Sequence, residues 1–203
     1  FEGKVKKTID DYRLISKKDV VGVAVSGGKD STTALYVLKK LGYNVKAITV
    51  DVAIGNYTKQ NLKNLRAFCE KINVELIELS FKKEFGYSLC YLKSLINSKG
   101  YNLKSCTVCG VLRRYLLNKY ARKFNLSKIA TGHNLDDEAQ AFMMNLFRNT
   151  LQMSARLGPK TGVINSKLFV PRIKPLYFCS EDEIIKYSKL NRFNVVYTRC
   201  PCS

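Results

Sequence analysis

Three short segments of this sequence carry side chains whose types and spacing can do chemistry. The first is Ser26-Gly27-Gly28-Lys29-Asp30-Ser31. Two adjacent glycines let backbone N–H groups approach an anion closely, and a helix opening just behind them aims its unpaired N–H groups at the same anion. A bare Gly-Gly suits any turn from strand to helix, but here Lys29 adds a positive charge and Ser31 a hydroxyl. Asp30 is informative in the opposite sense. A carboxylate beside a polyphosphate is repulsive unless a divalent cation lies between them, so Mg2+ is expected with the ligand. The segment is not a Walker A loop, because Val23 and Asp30 stand where that pattern needs Gly and Ser/Thr, and the Gly-x-Gly-x-x-Gly dinucleotide fingerprint is absent.

The second segment is Cys106-Thr107-Val108-Cys109, read together with Cys200-Pro201-Cys202. In a sequence without an export signal, such clusters mark metal or redox chemistry more often than disulfides. The four thiolates Cys106, Cys109, Cys200 and Cys202 suit a tetrahedral zinc site, although a single residue between the last two is unusual for a zinc knuckle. A closed four-thiolate site would be structural, whereas an open three-thiolate site keeps a reactive position. A persulfide on one cysteine, resolved by a second as a disulfide, is the redox alternative. The other cysteines, Cys69, Cys90 and Cys179, are expected to be small buried apolar side chains.

The third segment is Gly132-His133-Asn134-Leu135-Asp136-Asp137-Glu138. Carboxylates in the first turn of a helix complement its dipole, and that alone could account for Asp136; Asp137 suits better a role at a phosphate or its metal ion. His133 is the single histidine, in a turn at a strand end, where it is expected to shape the loop rather than act as a base. Arg113 and Arg114, just behind the cysteine pair, are placed to neutralise charge developing at a phosphate or to contact a nucleic-acid backbone.

The elements that must position these groups alternate between strand and helix. The continuous apolar run Val20–Val25, the segments Val45–Val50 and Val74–Leu79, and the short Lys128–Thr131 and Asn194–Tyr197 read as strands. Helices are expected with Ala34, Leu35, Leu38 and Leu41 on one stripe, over Thr58–Ile72, around Leu89, Leu92 and Ile96, over Val111–Phe124, from about Asn134, and from the capping box at Ser180. Gly158–Ser166 reads as a flexible loop. This alternation implies an α/β fold, a parallel sheet of about five strands with helices on both faces and ligands at the carboxyl ends of the strands.

With 35 Lys and Arg against 16 Asp and Glu in 203 residues, the formal charge is +19. Solvated faces alone explain part of such an excess, but basic and aromatic residues interleave at Arg113-Arg114-Tyr115, Lys119-Tyr120 and Arg122-Lys123-Phe124, which suits phosphate contact and base stacking. No apolar run approaches the roughly 18 residues that span a bilayer, and no signal peptide is visible, so a cytoplasmic protein without a membrane partner is expected.

Ser26–Ser31 resembles the PP-loop of the N-type ATP pyrophosphatases, which cleave ATP between the α- and β-phosphates and adenylate a carbonyl oxygen. Cys106–Arg114, Gly132–Ala139 and Cys200-Pro201 further resemble the tRNA 2-thiouridine synthetases of that superfamily, and the likeness runs from about Val20 to Cys202. It implies a Rossmann-like single domain over residues 1–203; zinc ribbons found at both ends of many members have no counterpart here. It implies ATP bound by Ser26, Gly27, Gly28, Lys29, Asp30, Ser31, Gly132 and Asp137, with adenine against Ala24, Val50 and Asp51 and a ribose contact at Asp51. Lys29, Asp137, Arg113 and Arg114 would be the catalytic residues. Cys106, Cys109 and Cys200 would hold a [4Fe–4S] cluster with one iron open to hydrosulfide. The implied partners are tRNA and a sulfur donor, either sulfide or a carrier protein; homodimers are common in the family. The rival readings keep the loop but use a persulfide, or an amine nucleophile with a structural zinc site.

Overall fold

The computed structural model describes residues 1–161, 168–195 and 200. Its strands are β1 Val21–Ala24, β2 Val45–Asp51, β3 Leu76–Ser80, β4 Lys128–Ala130, β5 Lys160–Thr161 and β6 Arg172–Ile173, in the order β3-β2-β1-β4-β6-β5. All neighbours run parallel except the short β5–β6 pair. Six strands rather than five result, because β5 and β6 carry only two residues each and leave no apolar run in the sequence. Asn194 and Val195 are not in a strand; the rest of the strand expected there, and residues 162–166 of the expected loop, lie outside the described residues.

The helices are α1 Glu2–Asp11, α2 Lys29–Lys40, α3 Gly55–Lys71, α4 Phe81–Phe85, α5 Leu89–Ser98, α6 Ser105–Lys123, α7 Leu135–Phe147, α8 Leu151–Ser154 and α9 Glu181–Leu190. They cover both faces of the sheet and create two cores. Val21, Val23 and Ala47 point to a core shared with α1, α2, α3 and α9 through Ile9, Leu35, Leu65 and Ile184. Ile48, Ile77 and Ile129 point the other way, to α5 and α6 through Leu89 and Leu116. The period-2 alternation of strand side chains divides the two sets. Gly22 faces the second core, where a Cβ would lie 2.7 Å from Leu126 Cδ1 and 2.8 Å from Ile48 Cδ1. Among the described residues no helix is long and apolar enough to cross a membrane.

Asp19, just ahead of β1, accepts a 2.6 Å bond from Lys128 Nζ on β4, with both side chains mostly buried. Burial alone would raise the Asp19 pKa, but the bonds from Lys128 and from Ser16 N–H outweigh it and hold the carboxyl below its usual value. A depressed carboxylate pKa stabilises the fold at neutral pH, and that contribution is lost as pH falls through the folded value. Asp19→Ala should therefore cost about 1–3 kcal/mol at pH 7. Urea midpoints should show the gap from wild type closing below about pH 4; a gap independent of pH would mean that this carboxyl does not titrate with folding.

Candidate functional site

Strand order reverses between β1 and β4, so the loops leaving these two strands meet at the carboxyl edge of the sheet, where α/β folds bind ligands. In the first loop, Gly27 has φ 84°, the left-handed region, and a Cβ there would lie 3.1 Å from both Cβ and O of Asn61 on α3. Ser26 N–H donates to Ser31 Oγ (3.1 Å), and Ser31 Oγ donates to Gly28 O (3.2 Å), which closes the loop on itself. Gly28 is the N-cap of α2 and no side chain caps this helix, whereas α5, α7 and α9 are capped by Ser88, Asn134 and Ser180. The first turn of α2 thus keeps its N–H donors for an external acceptor.

The second loop rests on the first. A Cβ on Gly132 would sit 2.7 Å from Ser31 N and 2.8 Å from Asp30 C, all unyielding backbone. Its lack of a side chain therefore serves the contact between loops rather than an approach to ligand. Asn134, buried behind it, donates from Nδ2 to Asp30 Oδ1 (3.2 Å) and accepts Asp137 N–H on Oδ1 (3.0 Å). Asp137 Oδ2 accepts Asn134 N–H (3.1 Å), so Asp137 is the capping-box carboxylate. Asp136 is not spare dipole charge: its Oδ2 accepts Glu181 N–H (2.7 Å) and fixes the start of α9. Lys29 Nζ lies 3.0 Å from Asp30 and 2.8 Å from Glu181; burial would lower its pKa, but these two carboxylates more than compensate and keep it charged. His133 Nδ1 is 2.8 Å from Thr131 Oγ1 and exposed, in keeping with a loop-shaping role.

On the β2 side of the first loop lies a cavity of about 390 Å3. Its wall combines Ala24 and Ser26, Val50 and Asp51 from the end of β2, Asn61 from α3, and Cys106, Cys109 and Arg113 from α6, with Cys200. Of the residues expected to hold ATP, Gly27 through Ser31, Gly132 and Asp137 are not part of that wall, and Arg114 is an exposed neighbour of Arg113. Asp51 Oδ1 accepts Ala53 N–H (2.7 Å), and Ala53 takes φ 57° in the tight turn off β2.

The helix carrying the cysteine pair begins at Ser105, earlier than the expected Val111, which puts Cys106 and Cys109 one turn apart on the same face. Burial pushes the Cys109 thiol pKa up, Arg113 opposes this, and Cys200 and Cys106 add to it, so the three sulfurs feel one another. Among the described residues no three His, Cys, Asp or Glu side chains are gathered as tightly as a bound metal ion requires. In type and position around one cavity, though not yet in spacing, the three thiols suit a thiolate-held cluster. Cys202 lies outside the described residues. Of the remaining cysteines, Cys69 and Cys179 are buried as expected and Cys90 is exposed.

Two polar atoms in the cavity wall are buried without a partner, Arg113 Nε and Asn61 Oδ1. Asn61 was invisible to motif reading. The signal available was a pair of amides, Asn61 and Asn64, on the same stripe of α3 as buried Leu65.

A mostly parallel sheet with a glycine loop at its switch point and thiols across the adjoining cavity marks this as a doubly wound α/β protein. The chain belongs to the PP-loop domain family, whose model it matches over residues 1–197. It is 34% identical over 201 residues to the "tRNA-5-methyluridine(54) 2-sulfurtransferase" of Pyrococcus horikoshii, covering 99% of this chain and 62% of that protein. It is 32% identical over 207 residues to "Cytoplasmic tRNA 2-thiolation protein 1" of Caenorhabditis elegans, covering 98% and 54%. The U34-tRNA thiolase NcsA from Methanococcus maripaludis, solved with its [4Fe-4S] cluster, superposes with TM-score 0.83 at 31% identity, over 100% of this chain and 65% of that one. NMN synthetase from Francisella tularensis shares the fold at TM-score 0.62 and 15% identity. The chain thus spans about three fifths of the length of the curated relatives it matches.

Gly132→Ala should destabilise the protein by about 1–3 kcal/mol, since backbone must move to admit the methyl group. Chemical denaturation measures it, and an unchanged midpoint would mean the two loops are not locked together.

Proposed function

We propose that this chain is the catalytic domain of a cytoplasmic tRNA 2-thiolase, which adenylates the C2 carbonyl oxygen of a uridine and replaces that oxygen with sulfur. The observation that carries the reading is the single cavity whose wall joins the β1 loop, the end of β2 and three cysteines. The names of the relatives supply the substrate class and the sulfur transfer.

ATP places its adenine against Ala24 and Val50 and its ribose at Asp51, while the triphosphate runs along the Ser26–Ser31 loop to the uncapped N-terminus of α2. Lys29 exchanges its bond with Glu181 for a phosphate oxygen. Asp30 and Asp137, both tied to Asn134, offer the hard oxygen donors that Mg2+ prefers, and would hold it against the polyphosphate. The uridine oxygen attacks the α-phosphorus, pyrophosphate leaves, and Arg113, whose Nε has no partner, neutralises the charge that builds there. Arg114 steadies the RNA backbone beside it. Esterification turns the C2 oxygen into a leaving group, so sulfide displaces AMP in the second step. Cys106, Cys109 and Cys200 would hold a [4Fe–4S] cluster, which when bound supplies an open iron for the incoming sulfide. Sulfide itself or a sulfur-carrier protein is the donor, and a homodimer is the assembly in keeping with the family. The uridine must leave its stack to reach the cavity, which favours a loop of the tRNA.

Anaerobic reconstitution should give about four iron and four sulfide per chain, lost with Cys106→Ala, Cys109→Ala or Cys200→Ala and kept with Cys202→Ala. The same three variants should lose 2-thiouridine formation, read by mass spectrometry of tRNA. Arg113→Ala should lower the rate of AMP release about 100- to 1000-fold. Zinc lost equally with all four cysteines, or thiolation that survives without iron, would overturn the cluster assignment.

A further inference from the structure

Residues 81–127 contain ten Lys or Arg and a single acidic residue, Glu84. Glu84 is already occupied, since it accepts bonds from Lys119 Nζ (2.8 Å) and from the Tyr120 hydroxyl. The stretch that forms α4, α5 and α6 therefore has no uncommitted carboxylate to oppose a polyanion. On it stands an aromatic pair. Tyr87 and Tyr91 stack with ring centroids 4.5 Å apart at 22°, and each is about half exposed, at 46% and 51%. Tyr101, between α5 and α6, is 65% exposed. Lys99 and Lys104 flank Tyr101 and are exposed; Lys93 follows Tyr91 on α5.

Both ends of this segment reach the cavity. Leu89, which lies between the two stacked tyrosines in sequence, and Ser105 and Cys106, which follow Lys104, are all part of the cavity wall. Leu89 is also the only residue of α5 that is buried. Helix α5 thus starts at the cavity and the segment after it returns there at Ser105, with the exposed rings and ammonium groups on the stretch between and beside these two points.

We infer that this stretch, built on Tyr87, Tyr91 and Tyr101 with Lys93, Lys99 and Lys104, is the docking surface for a single-stranded RNA loop; the inference rests on the tRNA reading above. Bases flanking the target nucleotide stack on the tyrosines, the lysines meet the phosphates, and the target enters the cavity past Leu89 and Cys106. Stacking on an exposed ring is open to any base because every base has a π-face. The charge balance separates this surface from the other exposed apolar face. Helix α7 exposes Phe142, Met144 and Phe147, but residues 135–147 contain three acids and no Lys or Arg, with only Arg148 at the helix end.

The test is fluorescence anisotropy with an unmodified tRNA transcript and with a blunt RNA duplex of similar charge, over a salt series. Tyr87→Ala with Tyr91→Ala should weaken tRNA binding about tenfold or more and leave duplex binding unchanged, whereas Phe at both positions should keep tRNA affinity. Tyr101→Ala should act in the same direction. Lys93→Gln, Lys99→Gln and Lys104→Gln together should flatten the salt dependence by about two phosphate contacts' worth. If wild type binds tRNA and the Ala variants bind it equally well, or lose duplex binding in proportion, the docking surface is wrong while the tRNA reading stands. If wild type binds tRNA no better than the duplex, both fall.

Discussion

The contact on which the site depends is that between the backbone of Gly132 and the first turn of α2, at Asp30 and Ser31. A parallel sheet forces its ligand edge to be assembled from loops that leave separate strands, and only β1 and β4 flank the reversal of strand order. With any side chain at 132 the loops would stand farther apart, and Asn134 could not reach Asp30 at 3.2 Å while closing its own capping box. One missing methyl group thus fixes two helix starts, a carboxylate and the register of the glycine loop. Asp136, bonded to the first turn of α9, and Lys29, bonded to Glu181 there, extend the same fixed geometry to a third helix.

Electrostatics divides the surroundings of that contact in two. On the α2–α7 side, carboxylates and Lys29 neutralise one another through short bonds, so the charges are ordered before any ligand arrives. On the cavity side, Arg113 and the thiols share a wall with Asp51, and burial raises the Cys109 pKa against the opposing effect of Arg113, which favours the protonated thiol. An anionic ligand lying across the loop meets ordered donors at one end and a sulfur-bearing wall at the other. In the proposed reaction, ordered donors at one end would serve the first step and the thiol-bearing wall at the other the second.

Much of this was legible in the sequence wherever a local rule acts alone. Val21, Val23 and Ile48 lie in segments that read as buried strands, and the first-turn acids after Asn134 and the capping box at Ser180 announced α7 and α9. The failures occur where two rules compete. Helix α5 is apolar on several sides, at Leu89, Leu92, Leu95 and Ile96, so periodicity could not say that only Leu89 is buried, and Cys90 was misassigned to the interior. Helix α6 starts at Ser105 without a side-chain cap, so no start signal preceded the cysteines. Asp136, expected only as a dipole partner, is claimed by α9, 45 residues away, whereas Asp137, expected at a phosphate, closes the capping box of α7. Asn61 belongs to no motif, because its proximity to Gly27 is made by the fold rather than by spacing.

The two unpartnered atoms in the cavity wall bear on what the fold tolerates. A buried donor or acceptor left unsatisfied costs about 1–3 kcal/mol, a large share of the few kcal/mol by which a domain is stable. Arg113 Nε and Asn61 Oδ1 reach the same cavity from α6 and α3, on opposite sides of the β2 edge. Neither helix needs a polar residue there for its own packing, since apolar neighbours such as Leu65 and Leu116 already fill the two cores. The other unpartnered buried atoms among the described residues, Thr32 Oγ1 and Thr33 Oγ1 on α2 and Glu138 Oε2 on α7, stand on the two helices that the β1 and β4 loops open. Unmet hydrogen bonding carried by α2, α3, α6 and α7, the helices around the β1 and β4 loops and the adjoining cavity, is the distribution expected when stability is given up for binding rather than lost by accident.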